Sequence, residues 1–324
     1  MWLLVANPAA RSGLAAERIA AATAALRARG LDVTLLETLP GGRTVGAVAT
    51  ALRDGAYVGV IAMGGDGTFH EVANGLLQSG RALPFALVAA GTGNNQARAL
   101  GLPLEDLDDA AARVAAGVTA PMDGAYVTAW DPAGAPLPGA WAFDSVGFGF
   151  GAQALRYRFE DKAEVEQMPL WRAIYRDELV YLGAVVRAFV NASLDDHTFD
   201  ATVTTEHGTR RYERLDDLVV NNTRFYARLW VLDPTSRHDD GAMELLPIRG
   251  LDAWAERALV DLDGSPLREW FDAAPPLLRA PWFEITFAPG PDGQPVHAQV
   301  DGEPWPDVGR VRIVVTRGVI NVVV

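Results

Sequence analysis

The 324-residue chain has no cysteine and a single lysine, Lys162. Without thiols it can form no disulfide framework, iron–sulfur cluster, thiolate zinc site or cysteine nucleophile, which suits a cytoplasmic setting. The use of arginine for nearly all positive charge reads as a base-composition bias of the source genome. Basic charge is scarce altogether: 28 Lys and Arg stand against 41 Asp and Glu, for a formal net charge of -13. No basic stripe is visible that could neutralise the phosphates of a nucleic acid or cluster on anionic lipid, so neither partner is expected on charge. Long hydrophobic runs are missing too. The longest, LVYLGAVVRAFV, is about half the roughly 20 residues needed to span a bilayer and contains Arg187, so no transmembrane helix is expected. The start, MWLLVANPAARSG, has no basic n-region and reads as a first strand, not a signal peptide. Two nucleotide signatures are absent as well. There is no G-x-x-x-x-G-K-[ST] loop, which excludes a Walker-type site, and no G-x-G-x-x-G opens the first helix.

What is present divides the chain into two patterns. At this length and 49% hydrophobic content, two domains are expected. Over the first 120 or so residues strand-like and helix-like segments alternate: WLLVA then Leu14 to Ala28, DVTLLE then Thr44 to Leu52, YVGVIAM then Thr68 to Gln78, FALVAA then Leu104 to Ala115. Four βα repeats predict an open, mostly parallel sheet. The third helix is the clearest, with Phe69, Val72, Ala73, Leu76 and Leu77 on one face. From Asp123 onward short alternating segments (AYVTAW, ATVTTE, DLVVNN, FEITFA, PVHAQV, VRIVV) predict a mainly antiparallel, sandwich-like β domain. One helix interrupts it, with Trp171, Ile174, Leu179, Leu182 and Val186 as its stripe, facing the sheet or lipid. DPAGAPLPGA and APGPDGQP read as hairpin connections. The expected boundaries are 1–124 for the α/β domain and 125–309 for the β domain. The last run, Arg310 to Val324, either returns to the first domain or closes a terminal hairpin in the second.

In an open α/β sheet, ligands bind outside the carboxyl ends of the strands. The residues there are Asn7-Pro8 with Gly13, Thr38, Gly64-Gly65-Asp66-Gly67-Thr68, and Gly91-Thr92-Gly93-Asn94. Four small or polar loops on one edge describe a crevice of backbone N–H groups and hydroxyls, which is chemistry for phosphate. Asp66 stands out in it, since a carboxylate beside phosphate repels it unless Mg²⁺ bridges them or the carboxylate handles a proton. Thr68 and Glu71 form either a T-x-x-E capping box or part of the ligand site.

These residues resemble the diacylglycerol-kinase catalytic-domain superfamily, and within it the bacterial YegS-type lipid kinases, related to sphingosine and ceramide kinases. The resemblance rests on N-P-x-x-x-S-G at Asn7 to Gly13, G-G-D-G-T-x-x-E-V-x-N-G-L at Gly64 to Leu76, and G-T-x-N at Gly91 to Asn94. It continues through Asp123, D-D-G at Asp239 to Gly241, and V-D-G-E at Val300 to Glu303. It implies an NAD-kinase- or diacylglycerol-kinase-like first domain and a kinase that uses ATP and Mg²⁺ on a lipid hydroxyl. It also implies that Asn7, Gly13, Thr38, Gly64, Gly65, Asp66, Gly67, Thr68, His70, Glu71, Thr92 and Asn94 bind ATP. Asp66 joins Asp123 in a carboxylate, water and Mg²⁺ network. Asp240, with backbone oxygens near Arg237 and Ala242, matches a structural Mg²⁺ site. Glu303 is the proton acceptor, with Asp301 close by.

Three positions depart from the family pattern: Asn95 replaces an acidic residue, His70 an asparagine, and Leu14 a basic residue, for which Arg11 is a substitute. The resemblance implies a lipid acceptor of diacylglycerol, phosphatidylglycerol or sphingoid type, met at a membrane surface by a peripheral protein. Trp141, Phe143, Phe148, Phe150 and Trp171 are candidates for its pocket or for core. Two alternatives remain at this point. One is an NAD-kinase-like enzyme with a soluble acceptor, disfavoured by E-V-x-N-G-L and V-D-G-E; the other is a non-catalytic lipid- or nucleotide-binding relative, favoured only by Asn95. The oligomeric state is open, with a homodimer among the options.

Overall fold

The structure is a computed structural model that describes residues 1–8, 15–91, 93–104, 106–157, 198–226, 230–231, 233–250, 278–290 and 293–324. Gly13, Thr92, Arg11, Leu14 and the stripe around Trp171 lie outside the described residues. The chain divides into two compact units. The first comprises Met1–Gly124, Arg237–Gly241 and Thr316–Val324, and the second Ala125–Ser236 and Ala242–Val315.

The first unit runs β1 Trp2–Ala6, α1 Ala15–Ala28, β2 Val33–Glu37, α2 Arg43–Asp54, β3 Gly59–Gly64, α3 Asp66–Ser79, β4 Pro84–Ala89, α4 Asn95–Ala99 and α5 Leu107–Ala116. Its strands are parallel in the order β2-β1-β3-β4, with Leu4 beside Ile61 and Ile61 beside Ala86. Burial on both faces explains why β1 and β3 are continuous apolar runs without alternation. One core joins Leu4, Ile61, Met63, Ala86 and Val88 to Ile19 and Leu26 of α1 and Val114 of α5. Phe69, Val72 and Leu76 of α3 are also buried, and the Phe69 ring meets Phe85 edge-on at 4.9 Å. The helical stripe expected from the sequence is therefore a packing face.

The second unit contains β5 Thr119–Trp130, which begins in the first, then β6 Pro136–Ala142, β7 Ser145–Gly149, β8 Phe199–Thr205, β9 Gly208–Leu215, β10 Asp217–Asn221, β11 Phe225–Tyr226 and β12 Trp230–Val231. There follow β13 Met243–Ile248, β14 Leu278–Ala280, β15 Trp282–Pro289, β16 Val296–Val300, β17 Glu303–Val308 and β18 Arg310–Val323. Residues 150–157 are helical. One sheet joins the first part of β18 to β15, β8 and β9, with β5 beside β18 and β6 beside β5; the other runs β14-β13-β10-β7-β16-β17. Their inner faces share one core, with Val203, Phe283, Ile285 and Ile313 from the first sheet and Phe148, Val220, Leu245 and Ala298 from the second. Phe148 and Phe287 meet in it at 4.8 Å. This is the sandwich-like antiparallel arrangement that the alternating segments imply.

Two expectations need correction. Helix α3 starts at Asp66 with Gly65 as N-cap, two residues before Thr68, so no capping box forms. APGPDGQP is not a hairpin loop, because β15 and β16 belong to different sheets. DPAGAPLPGA does form a hairpin connection, between the antiparallel β5 and β6, with β6 already beginning at Pro136. The final strand does not turn back: β18 continues until Asn321 and Val322 lie parallel to Pro84 and Phe85 of β4, in the first unit. Among the described residues, no helix is long and apolar enough to cross a membrane.

Candidate functional site

The carboxyl ends of β1, β2, β3 and β4 bring Asn7, Thr38, the Gly64–Asp66 loop and the Gly91–Asn94 loop to one edge of the first unit. Asn7 N donates to Met63 O at 3.4 Å, and Thr38 N to Ala6 O at 2.9 Å, so both residues continue the sheet's hydrogen bonding as the chain leaves it. The loops after β3 and β4 touch. Ala90 N donates to Gly64 O at 2.9 Å, and a Cβ placed on Gly91 would fall 2.2 Å from the Cα of Gly65. Only glycines allow that approach. Asn94, in the left-handed region at φ 57°, holds the second loop: its Oδ1 accepts from Gly91 N at 3.0 Å and its Nδ2 donates to Gly91 O at 2.9 Å.

Asp66 occupies the first turn of α3, where the helix dipole favours a carboxylate. Its Oδ1 accepts from the backbone N of Gln96 at 3.1 Å, a contact thirty residues away in sequence that ties α3 to α4. Gly67 sits half-buried beside it, and Thr68 is buried, its hydroxyl filling the space that a Cβ on Gly64 would need. His70 is half-buried on the next turn, where its carbonyl accepts from Asn74 Nδ2 at 2.9 Å. Glu71 points to α2. Burial raises its pKa, partly offset by a hydrogen bond from the Thr44 hydroxyl and by the neighbouring His70. The Thr44 hydroxyl, fully buried, also accepts from Leu39 N at 3.0 Å and lies 3.1 Å from Leu39 O. Glu71 thus joins α3 to the start of α2.

Asp123 is held by backbone groups from separate parts of the chain. Its carboxylate, 1% exposed, accepts from Gly241 N at 2.6 Å and Gly318 N at 2.7 Å, while its own N donates to His238 O at 2.8 Å. It binds together three chain segments of the first unit. Beside it, Arg237 pairs with Asp239 at 2.9 Å, and Arg317 Nη2 donates to the carbonyl oxygen of Asp240 at 2.8 Å. Burial lowers the pKa of His238 in the same turn, against the opposing pull of Asp239 and Asp123.

In the second unit, Asp301-Gly302 connects β16 to β17 and Glu303 opens β17 opposite Val300. Asp301 is 5% exposed and its carboxylate accepts from the backbone of Phe143, Asp144 and Ser145. Both its oxygens accept from backbone amides. Glu303 is half-buried. Ala242, which follows the Asp239–Gly241 turn, is 9% exposed.

Among the described residues no group of three or more His, Asp or Glu side chains is gathered as a metal cage. That composition still suits Mg²⁺ delivered with a nucleotide, because Mg²⁺ keeps several waters and takes one or two carboxylates plus phosphate oxygens. Asp66, on the amide-rich edge, could serve as such a carboxylate. The Asp240 turn offers carboxylate and carbonyl oxygens, which a hard cation accepts, but Arg317 already brings positive charge to it.

Residues 1–127 match the profile of the diacylglycerol kinase catalytic domain. Over these residues the chain is similar to that catalytic domain. "Diacylglycerol kinase" of Bacillus subtilis (strain 168) is 43% identical to this chain over 86 residues, a segment that is 26% of this chain and spans only 28% of that protein. "Probable lipid kinase YegS-like" of Xanthomonas campestris pv. campestris (strain 8004) is 26% identical over 307 residues, 94% of this chain and 89% of that protein. Among solved structures, a diacylglycerol kinase from Bacillus anthracis str. Sterne superposes with a TM-score of 0.68 at 17% identity, covering 99% of this chain and 96% of that one, which establishes the shared fold. The kinase family and the two-part architecture expected from the motifs agree with these matches.

Sequence reasoning missed several supports of this site. Gln96, Thr44, Asp144, Asn222, Thr223 and Gln299 all hold a candidate residue or its loop. Only Asn221-Asn222-Thr223 carried a signal, three polar residues closing an apolar strand.

Proposed function

We propose that this chain is an ATP- and Mg²⁺-dependent kinase that transfers the γ-phosphoryl group of ATP to a hydroxyl of a lipid of diacylglycerol, phosphatidylglycerol or sphingoid type. One observation carries the reading: Asp66 opens α3 between two loops whose backbones meet at Gly65 and Gly91. Helix N-terminus and glycine loops supply amides for phosphate. A carboxylate among them is tolerable when a divalent cation stands between it and the phosphates.

In this reading Asn7, Thr38, Gly64, Gly65, Gly67, Thr68, His70 and Asn94 bind or shape the nucleotide site, together with Gly13 and Thr92. Glu71 acts there through α2. Asp66 is the residue assigned to Mg²⁺, which when bound neutralises the β- and γ-phosphates. A second, structural Mg²⁺ belongs to Asp240 with the Arg237 and Ala242 carbonyls. The transfer itself asks for positioning, charge neutralisation and an acceptor for one proton. The lipid oxygen bonds to the γ-phosphorus, the bond from that phosphorus to the β–γ bridging oxygen breaks, ADP departs, and Glu303 takes the hydroxyl proton. A kinase that draws on ATP for a lipid acceptor works at the cytoplasmic surface of a membrane, as a peripheral and transient visitor.

The test is an assay with Mg²⁺ and ATP against a panel of lipid extracts, with NAD as a separate acceptor and products identified by mass spectrometry. A phosphorylated lipid is the expected product. Phosphorylation of NAD alone, or of no lipid at any Mg²⁺ concentration, overturns the reading.

A further inference from the structure

Asp301 and Glu303 flank one glycine, and nothing local divides the work between them. Their surroundings do. β16 and β17 pair Val300 with Glu303, which leaves a two-residue loop with φ of 51° at Asp301 and 80° at Gly302. Both values lie in the left-handed region, the signature of a type I′ hairpin turn, in which Asp-Gly is a favoured pair.

The turn does not rest on backbone preference alone. Asp301 Oδ1 accepts from Phe143 N at 3.0 Å, Asp144 N at 2.8 Å and Ser145 N at 3.1 Å, Oδ2 accepts from Phe143 N at 2.9 Å, and Asp301 N donates to Ser145 O at 2.8 Å. Three successive amides converge on one buried carboxylate, and such charge-assisted bonds are roughly twice as strong as neutral ones. Gly302 N donates to Gln299 Oε1 at 2.7 Å, and Gln299 Nε2 reaches Ser145 Oγ at 3.2 Å. The loop that receives Asp301 is fixed from its other side. Asn222 N donates to Asp144 O at 2.7 Å, Asn222 Nδ2 to Phe143 O at 3.0 Å, and the Thr223 hydroxyl to the Asp144 carboxylate at 2.7 Å. β10, β7 and β16 are neighbours in the sheet, so these three loops leave it at one end.

We infer that Asp301 is a positioning residue: its carboxylate clamps the turn to the 143–145 loop and thereby holds Glu303 in place, and Asp301 itself moves no proton. This rests on the reading of Glu303 as proton acceptor. A neutral amide at 301 would lose the charge and leave all three donors to one oxygen, and its NH₂ group in place of Oδ2 would face the N–H of Phe143. The turn would loosen while the sheet persisted.

The experiment compares wild type, D301N, E303Q and the double variant D301N/E303Q. D301N is expected to lower kcat by about ten- to a hundredfold, the scale of a misplaced reacting group, with the KM for ATP unchanged. The double variant is expected to be no slower than E303Q, since a residue acting through Glu303 has nothing left to lose. Multiplying losses, or a D301N variant as fast as wild type, overturns the inference. If D301N does not fold, Gln299→Leu, which removes the bonds to Gly302 N and Ser145 Oγ but keeps the Asp301 carboxylate, is expected to give a smaller loss with the same kinetic split; an unchanged kcat then counts against the clamp. A second readout needs no turnover. The ¹³C signal of the Glu303 carboxyl, identified by its loss in E303Q, is expected to shift in folded D301N, and an unmoved signal overturns the clamp. If E303Q turns over like wild type, the proton-acceptor reading fails instead, and the carbon signal still decides whether Asp301 holds the turn.

Discussion

Gly65 and Gly91 lie in backbone contact, so that a Cβ on Gly91 would stand 2.2 Å from the Cα of Gly65 and 2.8 Å from its nitrogen. The obstacle is backbone, which cannot swing aside as a side chain can. Gly91→Ala is therefore expected to push the two loops apart, at a cost of about 1–3 kcal/mol. Urea denaturation measures the cost, and nucleotide titration is expected to show weakened binding. A variant as stable as wild type with unchanged affinity would mean that the loops are not packed as described.

Asp123 makes the case for a buried acid that organises the chain. Removing its carboxylate leaves Gly241 N and Gly318 N without acceptors, and each buried unsatisfied donor costs about 1–3 kcal/mol. Asp123→Ala is expected to lose about 2–5 kcal/mol in denaturant unfolding. Without nucleotide the loss is expected to be the same with Mg²⁺ or with chelator. A loss that appears only with Mg²⁺ would return Asp123 to the metal network that its motif suggests.

These two sites also mark where the sequence could be read and where it could not. β1, β3 and β4 were legible because strands buried on both faces are plain apolar runs, and the glycines that follow mark the exits. The start of α3 was misjudged because Thr68 and Glu71 imitate a capping box, while a glycine N-cap leaves no side-chain signature. Asp301-Gly302 correctly announced a turn. Its partner at Phe143 lies 158 residues away, and the two partners of Asp123 lie 118 and 195 residues away. Local pattern cannot report contacts that only the folded sheet order creates. APGPDGQP shows the same limit, since its composition describes a turn but not which sheets it joins.

Glu71 gives a stability prediction with a definite sign. Its pKa is raised by burial above the ordinary 4.5, so the folded state holds a proton more tightly than the unfolded chain. Stability then falls as pH rises from about 4.5 through the folded value, because ionising Glu71 inside the fold costs more than ionising it in water. Glu71→Gln keeps an oxygen to accept from Thr44 and removes the charge. It is expected to be more stable than wild type at pH 7, with the gain disappearing below pH 4.5. Paired thermal melts across that range would show it, and a gain that is independent of pH would point to packing instead.

The two carboxylates assigned to phosphoryl transfer are expected to fail in different ways. Asp66→Asn keeps an oxygen for Gln96 N, so α3 and α4 should remain tied, but the negative charge is gone. If that charge holds Mg²⁺, the variant needs more Mg²⁺ for half-maximal rate, and excess Mg²⁺ restores part of the activity. Glu303→Gln leaves the Mg²⁺ requirement where it was, because the loss lies in proton acceptance. Its kcat is expected to fall by about 10²–10⁴, the usual worth of general base catalysis, with the acid limb of the pH–rate profile flattened. The separation is diagnostic under the kinetic criteria for transition-state and ground-state interactions. A shared Mg²⁺ dependence in both variants would mean that Glu303 belongs to the metal, and the proton would then need another acceptor.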